Sequence, residues 1–263
     1  MDNDAWIRIA LGHDTGDLLW EWFHENSKTS RYDSLPRNDA VVAEMRSRTE
    51  SLDYGSYPLI ELPPTRAPLI RSLEEAIVER ETARRMEPCP VTLEQAATLL
   101  YYAYGVTRDN ESTDFPRPFR TIPSGGALYP LEVYLHTAHV PEIRPGLYHY
   151  SAAAHRLRLL RQGDLTDDVA SVLVQPEIAQ HASIMFFVTA LFDRTIFKYR
   201  DRGYRFIFLE AGHLAQNLNL TAVAMKLGIT NVGGYFDREV DRFLQIDGVT
   251  HSTIYMAAIG RRL

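Results

Sequence analysis

The sequence predicts an α+β fold, a sheet with helices packed on it, and three observations predict it. Several segments repeat apolar side chains at helical spacing, and two of them open with a capping sequence. Others are short runs rich in β-branched and aromatic residues, bounded by turn residues. One run, Ser183 to Phe192, is apolar almost throughout, as a central strand covered on both faces must be. A composition of 45% hydrophobic and 24% charged residues over 263 suits one large globular domain, or a domain with a smaller appendage.

In chain order, residues from about 5 to 48 read as helical, with a polar break between Asn26 and Asn38. Residues 54–70 contain Pro58, Pro63, Pro64 and Pro68 and read as an extended linker. The expected division is therefore a helical extension with its linker over 1–70 and a main domain over 71–263. Ser72-Leu-Glu-Glu opens a helix whose Leu73 and Ile77 share a face. Thr92-Leu-Glu-Gln opens another, running to about Gly105 with Leu93, Ala96, Ala97 and Leu100 inward. A polar loop follows, from Arg108 to Arg117. Leu131 to Thr137 alternates as a strand does, and Gly146–Tyr150 with Arg156–Leu160 reads as a hairpin. A helix is expected near Leu165–Leu173. Beyond the central strand, Tyr204, Ile207, Phe208, Ala211, Leu214, Ala215, Leu218, Ala222 and Met225 mark one long core helix, closed by Gly228. Ser252 to Ile259 reads as a last strand.

A net charge of -6 argues against a nucleic-acid binder. No run approaches the roughly 18 apolar residues of a membrane span, and Met-Asp-Asn-Asp does not begin a signal peptide, so a cytoplasmic location is expected. Cys89 is the single cysteine, held between Pro88 and Pro90, which leaves no intrachain disulfide and no cysteine zinc site. Glycine-rich phosphate loops of the G-x-G-x-x-G and G-x-x-x-x-G-K-[ST] kinds are missing, so a nucleotide phosphate would need another cradle.

Three segments carry polar chemistry without such a loop. Pro123-Ser124-Gly125-Gly126 precedes an apolar strand, and paired glycines admit positive φ or close approach of a flat ligand, although a plain turn has the same composition. Arg120 lies just upstream. Arg80 and Arg84, read as i,i+4 on a helix with Thr82 nearby, form either a phosphate clamp or a solvated face paired with Glu79 and Glu81. Gly260-Arg261-Arg262 ends the last strand.

Arg120-x-x-Pro-Ser-Gly-Gly-Ala-Leu-Tyr-Pro-Leu-Glu-Val-Tyr134, followed by Gly146-Leu-Tyr-His-Tyr150, resembles the SagB/ThcOx-type dehydrogenases of the nitroreductase superfamily. Phe23 to Lys28, Gly212 to Asn217 and Gly233 to Asp237 extend the resemblance over nearly the whole chain. It implies a nitroreductase-like fold with a mainly antiparallel sheet, and a homodimer binding FMN at its interface. Arg80, Thr82 and Arg84 would then bind the phosphate, with Arg261 or Arg262 beside it. Arg120, Pro123, Ser124, Gly125, Gly126 and Leu128 would meet the flavin, chiefly that of the other subunit, and Gly233 or Gly234 would aim an N–H at N5. The implied reaction oxidises thiazolines and oxazolines to thiazoles and oxazoles in peptide natural products, with Lys198 and Tyr199 taking the proton. Tyr129, His213, Gln216 and Asn217 are lesser candidates for flavin or substrate contact, His213 being equally readable as a core histidine. A cyclodehydratase complex is an implied partner.

Three other readings compete. Glu21-x-x-His24 and Glu210-x-x-His213 have the spacing of di-iron helices, but the strand-like runs contradict an all-helical bundle, and no metal is expected. A non-catalytic flavin scaffold would not need Lys198-Tyr199. An NAD(P)H-dependent nitro or flavin reductase would share the fold and the cofactor.

Overall fold

The computed structural model describes residues 19–34, 36–111 and 113–263; the part of the first expected helix before residue 19 lies outside them. Two short helices, α1 (Trp20–Asn26) and α2 (Asn38–Ser47), flank the expected polar break. The proline-rich stretch is more than a linker. It contributes strand β1 (Leu59–Glu61), which adds to the edge of the sheet along β7. Then come α3 (Leu73–Glu79), β2 (Met86–Glu87), α4 (Leu93–Tyr104) and a small hairpin, β3 (Val106–Arg108) with β4 (Phe119–Arg120). The main sheet continues with β5 (Leu131–Thr137), β6 (Gly146–Ser151) and β7 (Arg156–Gln162). After α5 (Thr166–Ser171) and α6 (Glu177–Gln180) follow β8 (Ile184–Leu191), α7 (Asp193–Tyr199), α8 (Asp201–Ala224), β9 (Gly228–Val232), α9 (Asp237–Leu244) and β10 (His251–Arg262). Both expected capping boxes are present, Ser72 with Glu75 and Thr92 with Gln95.

The sheet has eight strands, ordered β1-β7-β6-β5-β8-β10-β2, with β9 also on β10, and every pairing is antiparallel. Period-two alternation divides its side chains between two cores. Leu131, Val133, Leu135, Phe186 and Val188 face α4 and α8; Tyr134, Met185, Phe187, Met256 and Ala258 face α5 and α9. β5 and β8 are therefore buried along nearly their whole length, which explains the uninterrupted apolar run.

Three expectations need correction. The long helix stops at Ala224, and Gly228 does not cap it: Gly228 opens β9, where a Cβ would lie 3.1 Å from both the Ala83 Cβ and the Arg262 backbone nitrogen. Leu73, Ile77 and Val78 of α3 face outward, leaving Ala76 as that helix's buried residue. Within α8, Tyr204, Phe208 and Leu209 are exposed, Leu209 to 59%. These two helices pack on each other and present apolar side chains outward together.

Candidate active site

Chain packing gathers the first group of predicted residues at one end of the sheet. Helix α3 ends at Glu79, and Arg80 is already extended (φ -61, ψ 118). Arg80 and Arg84 are thus not on one helical face, as their spacing suggested. The Ala83 N–H donates to the Ile229 carbonyl at 2.9 Å, and the Thr230 hydroxyl donates to the Ala83 carbonyl at 2.6 Å. These tertiary bonds draw the chain onto β9, and Gly228 allows the close approach. Arg80, Thr82 and Arg84 line one cavity of about 410 Å³, together with Glu81, Ala83 and Arg85 between and beside them. Arg262 joins them there, ion-paired to Glu81, whereas Arg261 pairs with Glu87 at 2.6 Å. A second cleft shares Thr82, Ala83 and Arg84 and extends to Gln175 and His181. Just beyond β9, Gly233 and Gly234 are exposed; a Cβ on Gly233 would meet nothing within 4 Å, and the Gly234 carbonyl accepts from the Val174 N–H at 3.0 Å.

A second group forms at the start of α8. The Pro-Ser-Gly-Gly turn ends in Gly126 at φ 69, followed by Ala127 (φ 54) and Tyr129 (φ 45), a strained run held by its surroundings. A Cβ on Gly126 would lie 2.7 Å from Lys198 Nζ and 2.9 Å from the Tyr199 hydroxyl, so both groups converge on that spot. Lys198 Nζ also lies over the Phe115 ring at 5.0 Å, and Tyr199 meets Phe206 edge-on at 4.9 Å. The N-terminal extension closes this region. Val41 and Met45 pack with Leu128, Phe115, Phe197 and Tyr199, and a cavity of about 240 Å³ lies between residues 26–34 and Lys198-Tyr199. Arg205 ties α1 down, its Nε donating to Ser27 Oγ at 2.8 Å.

Beneath the turn lies a buried charged layer, of which motif reading selected Arg120 as a flavin contact and Glu210 only for its spacing to His213. Tyr104 donates to Glu210 Oε1 at 3.1 Å and accepts from the Leu131 N–H at 3.2 Å. Burial pushes the Glu210 carboxyl up to about 7, against the opposing pull of Ser124, Arg120 and Tyr104. Glu132 is equally buried, but there the raising effect of burial is outweighed by His149 and Arg194, which hold its carboxyl down to about 2. Glu210 falls on the apolar stripe of its helix, between Ile207 and Leu214, and Glu132 sits inside an apolar strand. Those placements were the available signal, since a carboxylate on a core-facing position is rarely idle.

Several candidates turn away from ligand space. The Arg120 guanidinium is enclosed between Tyr104 and Tyr129, 4.3 and 4.8 Å from the ring centroids, and 3.8 Å from Glu50. The Tyr129 hydroxyl accepts from the Arg120 N–H at 3.0 Å, and the Tyr129 N–H donates to Ser124 Oγ at 2.9 Å. Leu128 is fully buried. Arg120, Leu128 and Tyr129 thus lie behind the turn with their side chains buried. Asn217 braces the chain by donating to the Tyr102 carbonyl at 3.1 Å. His213 is not a core histidine; it and Gln216 lie on the exposed face of α8. Because Glu210 points in and His213 out, their Glu-x-x-His spacing makes no metal pair, and among the described residues no cluster of three or more His, Cys, Asp or Glu is placed to hold a metal. No described helix is long and apolar enough to cross a membrane.

The nitroreductase family pattern matches residues 77–261. A Methanocaldococcus jannaschii protein named as a nitroreductase is 31% identical over 191 residues, covering 73% of this chain and 91% of that protein. The microcin B17-processing protein of Escherichia coli is 30% identical over 159 residues, 54% of this chain and 54% of its own length. Among solved structures, a nitroreductase-like protein of Anabaena variabilis superposes with a TM-score of 0.73 at 23% identity, covering 93% of this chain and 47% of that one. A chain of the Escherichia coli microcin synthetase complex with truncated microcin precursor bound gives 0.57 at 19% identity, covering 99% and 94%. The chain thus spans about half the length of the microcin-processing relative and of the Anabaena protein. With the family pattern covering most of the chain and laid over this antiparallel sheet, the chain belongs to the nitroreductase family of oxidoreductases.

Proposed function

We propose that the protein is a SagB-type, FMN-dependent dehydrogenase that oxidises thiazoline or oxazoline rings in peptide-derived substrates to the aromatic azoles. The observation that carries this reading is the convergence of Lys198 Nζ and the Tyr199 hydroxyl on the Gly126 turn. A reductase that takes hydride from a nicotinamide has no substrate proton to remove; an azoline oxidase must remove one from carbon. The similarity to a microcin-processing protein supports the same reading, as does the likeness to a peptide-bound synthetase complex, which also makes a cyclodehydratase a fitting partner.

The residues fit FMN. Arg80 and Arg84 offer cationic donors and Thr82 a hydroxyl around one cavity, with Arg262 there paired to Glu81, a set whose net positive charge suits a phosphate dianion. Around Gly233 a Cβ would meet nothing within 4 Å, which leaves room for a flat ring against the backbone there. When bound, FMN supplies the two-electron acceptor that takes the substrate hydride at N5. Lys198 Nζ and Tyr199 Oη supply the acceptor for the proton. Gly126 keeps their shared approach clear, and the apolar cover from Val41, Met45 and Leu128 excludes water behind them. On the flank of α7 runs a larger groove of about 1140 Å³, lined by Trp20, Phe23, Phe192, Ile196, Phe197 and Tyr204. It shares Arg200 and Asp201 with the cavity at Lys198-Tyr199 and is sized for a peptide segment more than for a lone ring.

The two groups lie toward opposite ends of α8: Phe206 meets the Gly125 turn near one end, while Ala224 at the other accepts from Ile70, which leads into α3. From Phe206 to Ala224 the helix rises about 27 Å, too far for one flavin to touch both groups. A two-fold dimer that crosses α8 antiparallel would bring the turn of one subunit to the arginines of the other, and would cover the exposed Leu209 and Phe208. A Leu209→Asp variant is therefore expected to elute as a monomer and to lose FMN together with its dimer. Each copy loses a buried leucine worth about 1.5–3 kcal/mol, and the symmetric contact counts it twice, so dimerisation should weaken by at least about 100-fold. A dimeric, FMN-loaded variant would remove the interface from this face.

The function itself is tested by mass spectrometry of the released cofactor and by anaerobic spectroscopy. The purified protein should release FMN. An azoline-containing peptide should bleach the visible flavin band while NADPH alone should not. Bleaching by NADPH without peptide, and none by the azoline, would instead identify a nitro or flavin reductase.

A further inference from the structure

Lys198 and Tyr199 end a helix too short to hold its own direction. Helix α7 has seven residues, its N-cap Phe192 makes no side-chain capping bond, and the chain breaks after it at Arg200 (φ 49, ψ -139). Its orientation must come from tertiary anchors. The charged one is Arg194, on the same helical face as Lys198 four residues later. Arg194 Nη1 lies 2.7 Å from Glu132 Oε1, with side-chain exposures of 4% and 3%. Glu132 is the second residue of β5, directly downstream of the Gly125-Gly126 turn. Its other oxygen lies 2.6 Å from His149 Nε2 on β6, and Oε1 also accepts the Leu52 N–H of the N-terminal extension at 3.1 Å. One buried carboxylate therefore joins the strand that follows the turn, the helix that carries the proton-transfer pair, and the segment that covers both.

We propose that Glu132 and Arg194 are positioning residues, whose buried ion pair sets Lys198 and Tyr199 against the Gly126 turn. This rests on the proton-transfer role given above to Lys198 and Tyr199. A buried pair of this kind is costly to desolvate and is weak evidence for stability, but its short separation ties the helix to one point of β5. An apolar pair of the same volume would fill the space without fixing the helix's rotation or its advance along its axis. The Leu52 bond adds the extension to the same device, so the seating of residues 50–54 and the aim of α7 depend on a common group.

The test uses the full-length, flavin-loaded protein with Glu132→Gln, Arg194→Lys, Arg194→Met and His149→Gln. Activity is read as kcat per bound flavin and as KM for an azoline peptide. Glu132→Gln and Arg194→Met are expected to lower kcat per flavin at least tenfold with KM within about threefold of wild type. Arg194→Lys, which keeps the charge, should recover part of that loss. His149→Gln removes a partner on the side away from α7, and should lower the melting temperature while sparing kcat. A second readout needs no turnover. The chain has three lysines, Lys28, Lys198 and Lys226, so reductive ¹³C-methylation gives three lysine NMR signals, assignable by substitution and distinct from that of the α-amine. Glu132→Gln and Arg194→Met should move the Lys198 signal and leave the other two in place. If melting temperatures fall while kcat per flavin and the Lys198 signal stay at wild-type values, the pair is structural only and the proposal is overturned. Should Glu132→Gln not fold, the Arg194→Lys and Arg194→Met comparison decides alone. If wild type oxidises no azoline, the proposed function fails, and the Lys198 signal still shows whether the ion pair aims α7.

Discussion

A Lys198→Ala, Tyr199→Ala double variant is expected to keep its fold and its flavin and to lose about 10²- to 10⁴-fold in kcat for azoline oxidation. That loss corresponds to roughly 3–5 kcal/mol of transition-state stabilisation. The contacts these side chains make elsewhere are much smaller. Lys198 over the Phe115 ring contributes about 0.5–1 kcal/mol, and Tyr199 against Phe206 about 0.5–1.5 kcal/mol. Tyr199 also gives up its packing against Val41, Met45 and Leu128, so the loss of activity is read per bound flavin in the folded variant. Single variants should each account for much of the loss, because groups that share one proton do not act additively. Flavin-normalised kcat, with melting temperature as control, checks this. A double variant as active as wild type would leave the Lys-Tyr pair as packing and remove the central support of the azoline reading.

Much of this architecture was legible because its signals are local. The capping boxes at Ser72 and Thr92, the alternation of β5 and the apolar run of β8 each follow from neighbouring residues, and each appears where expected. The failures share a cause, the dependence of local conformation on distant partners. Arg80-x-Thr-x-Arg84 fits helical and extended spacing alike, and two hydrogen bonds to β9, about 145 residues downstream, choose the extended form. Leu73 and Ile77 make an apolar face, but their sequence cannot say whether the chain's own core or a second copy covers it. Gly228 looked like a helix stop because a close approach of Ala83 and Arg262 leaves no trace in neighbouring residues. The candidate site was readable as motifs, while the layer behind it was not. Glu132 and Glu210 are visible as carboxylates on core-facing positions, but their partners, Arg194 among them, are set only when β5, α7 and α8 meet.

Glu210→Gln is expected to stabilise the protein at pH 8 by about 3 kcal/mol and to have little effect near pH 4.5. The folded carboxyl titrates near 7, because burial disfavours its charge, and the unfolded one near its ordinary 4.5. Below 4.5 both states hold the proton and Glu210 adds no pH dependence. Between 4.5 and 7 the folded state keeps a proton that the unfolded state has released, so stability declines as pH rises. Above 7 folding must bury the anion, and the full cost is present, about 1.4 kcal/mol for each pH unit between the two values. Glutamine cannot ionise, and its carbonyl can still accept from the Tyr104 hydroxyl, so the decline disappears in the variant. Glu132 slopes the other way: held near 2, it stabilises the fold above 4.5 and loses that contribution as pH falls through 2. From pH 5 to 8, then, the descending limb belongs to Glu210 and not to Glu132, which makes the two separable by urea unfolding at several pH values. Wild-type and Glu210→Gln stability curves running parallel across that range would show that Glu210 stays charged when folded. The carboxylate would then balance Arg120 beneath the Ser124 turn, and the glutamine would destabilise the protein instead.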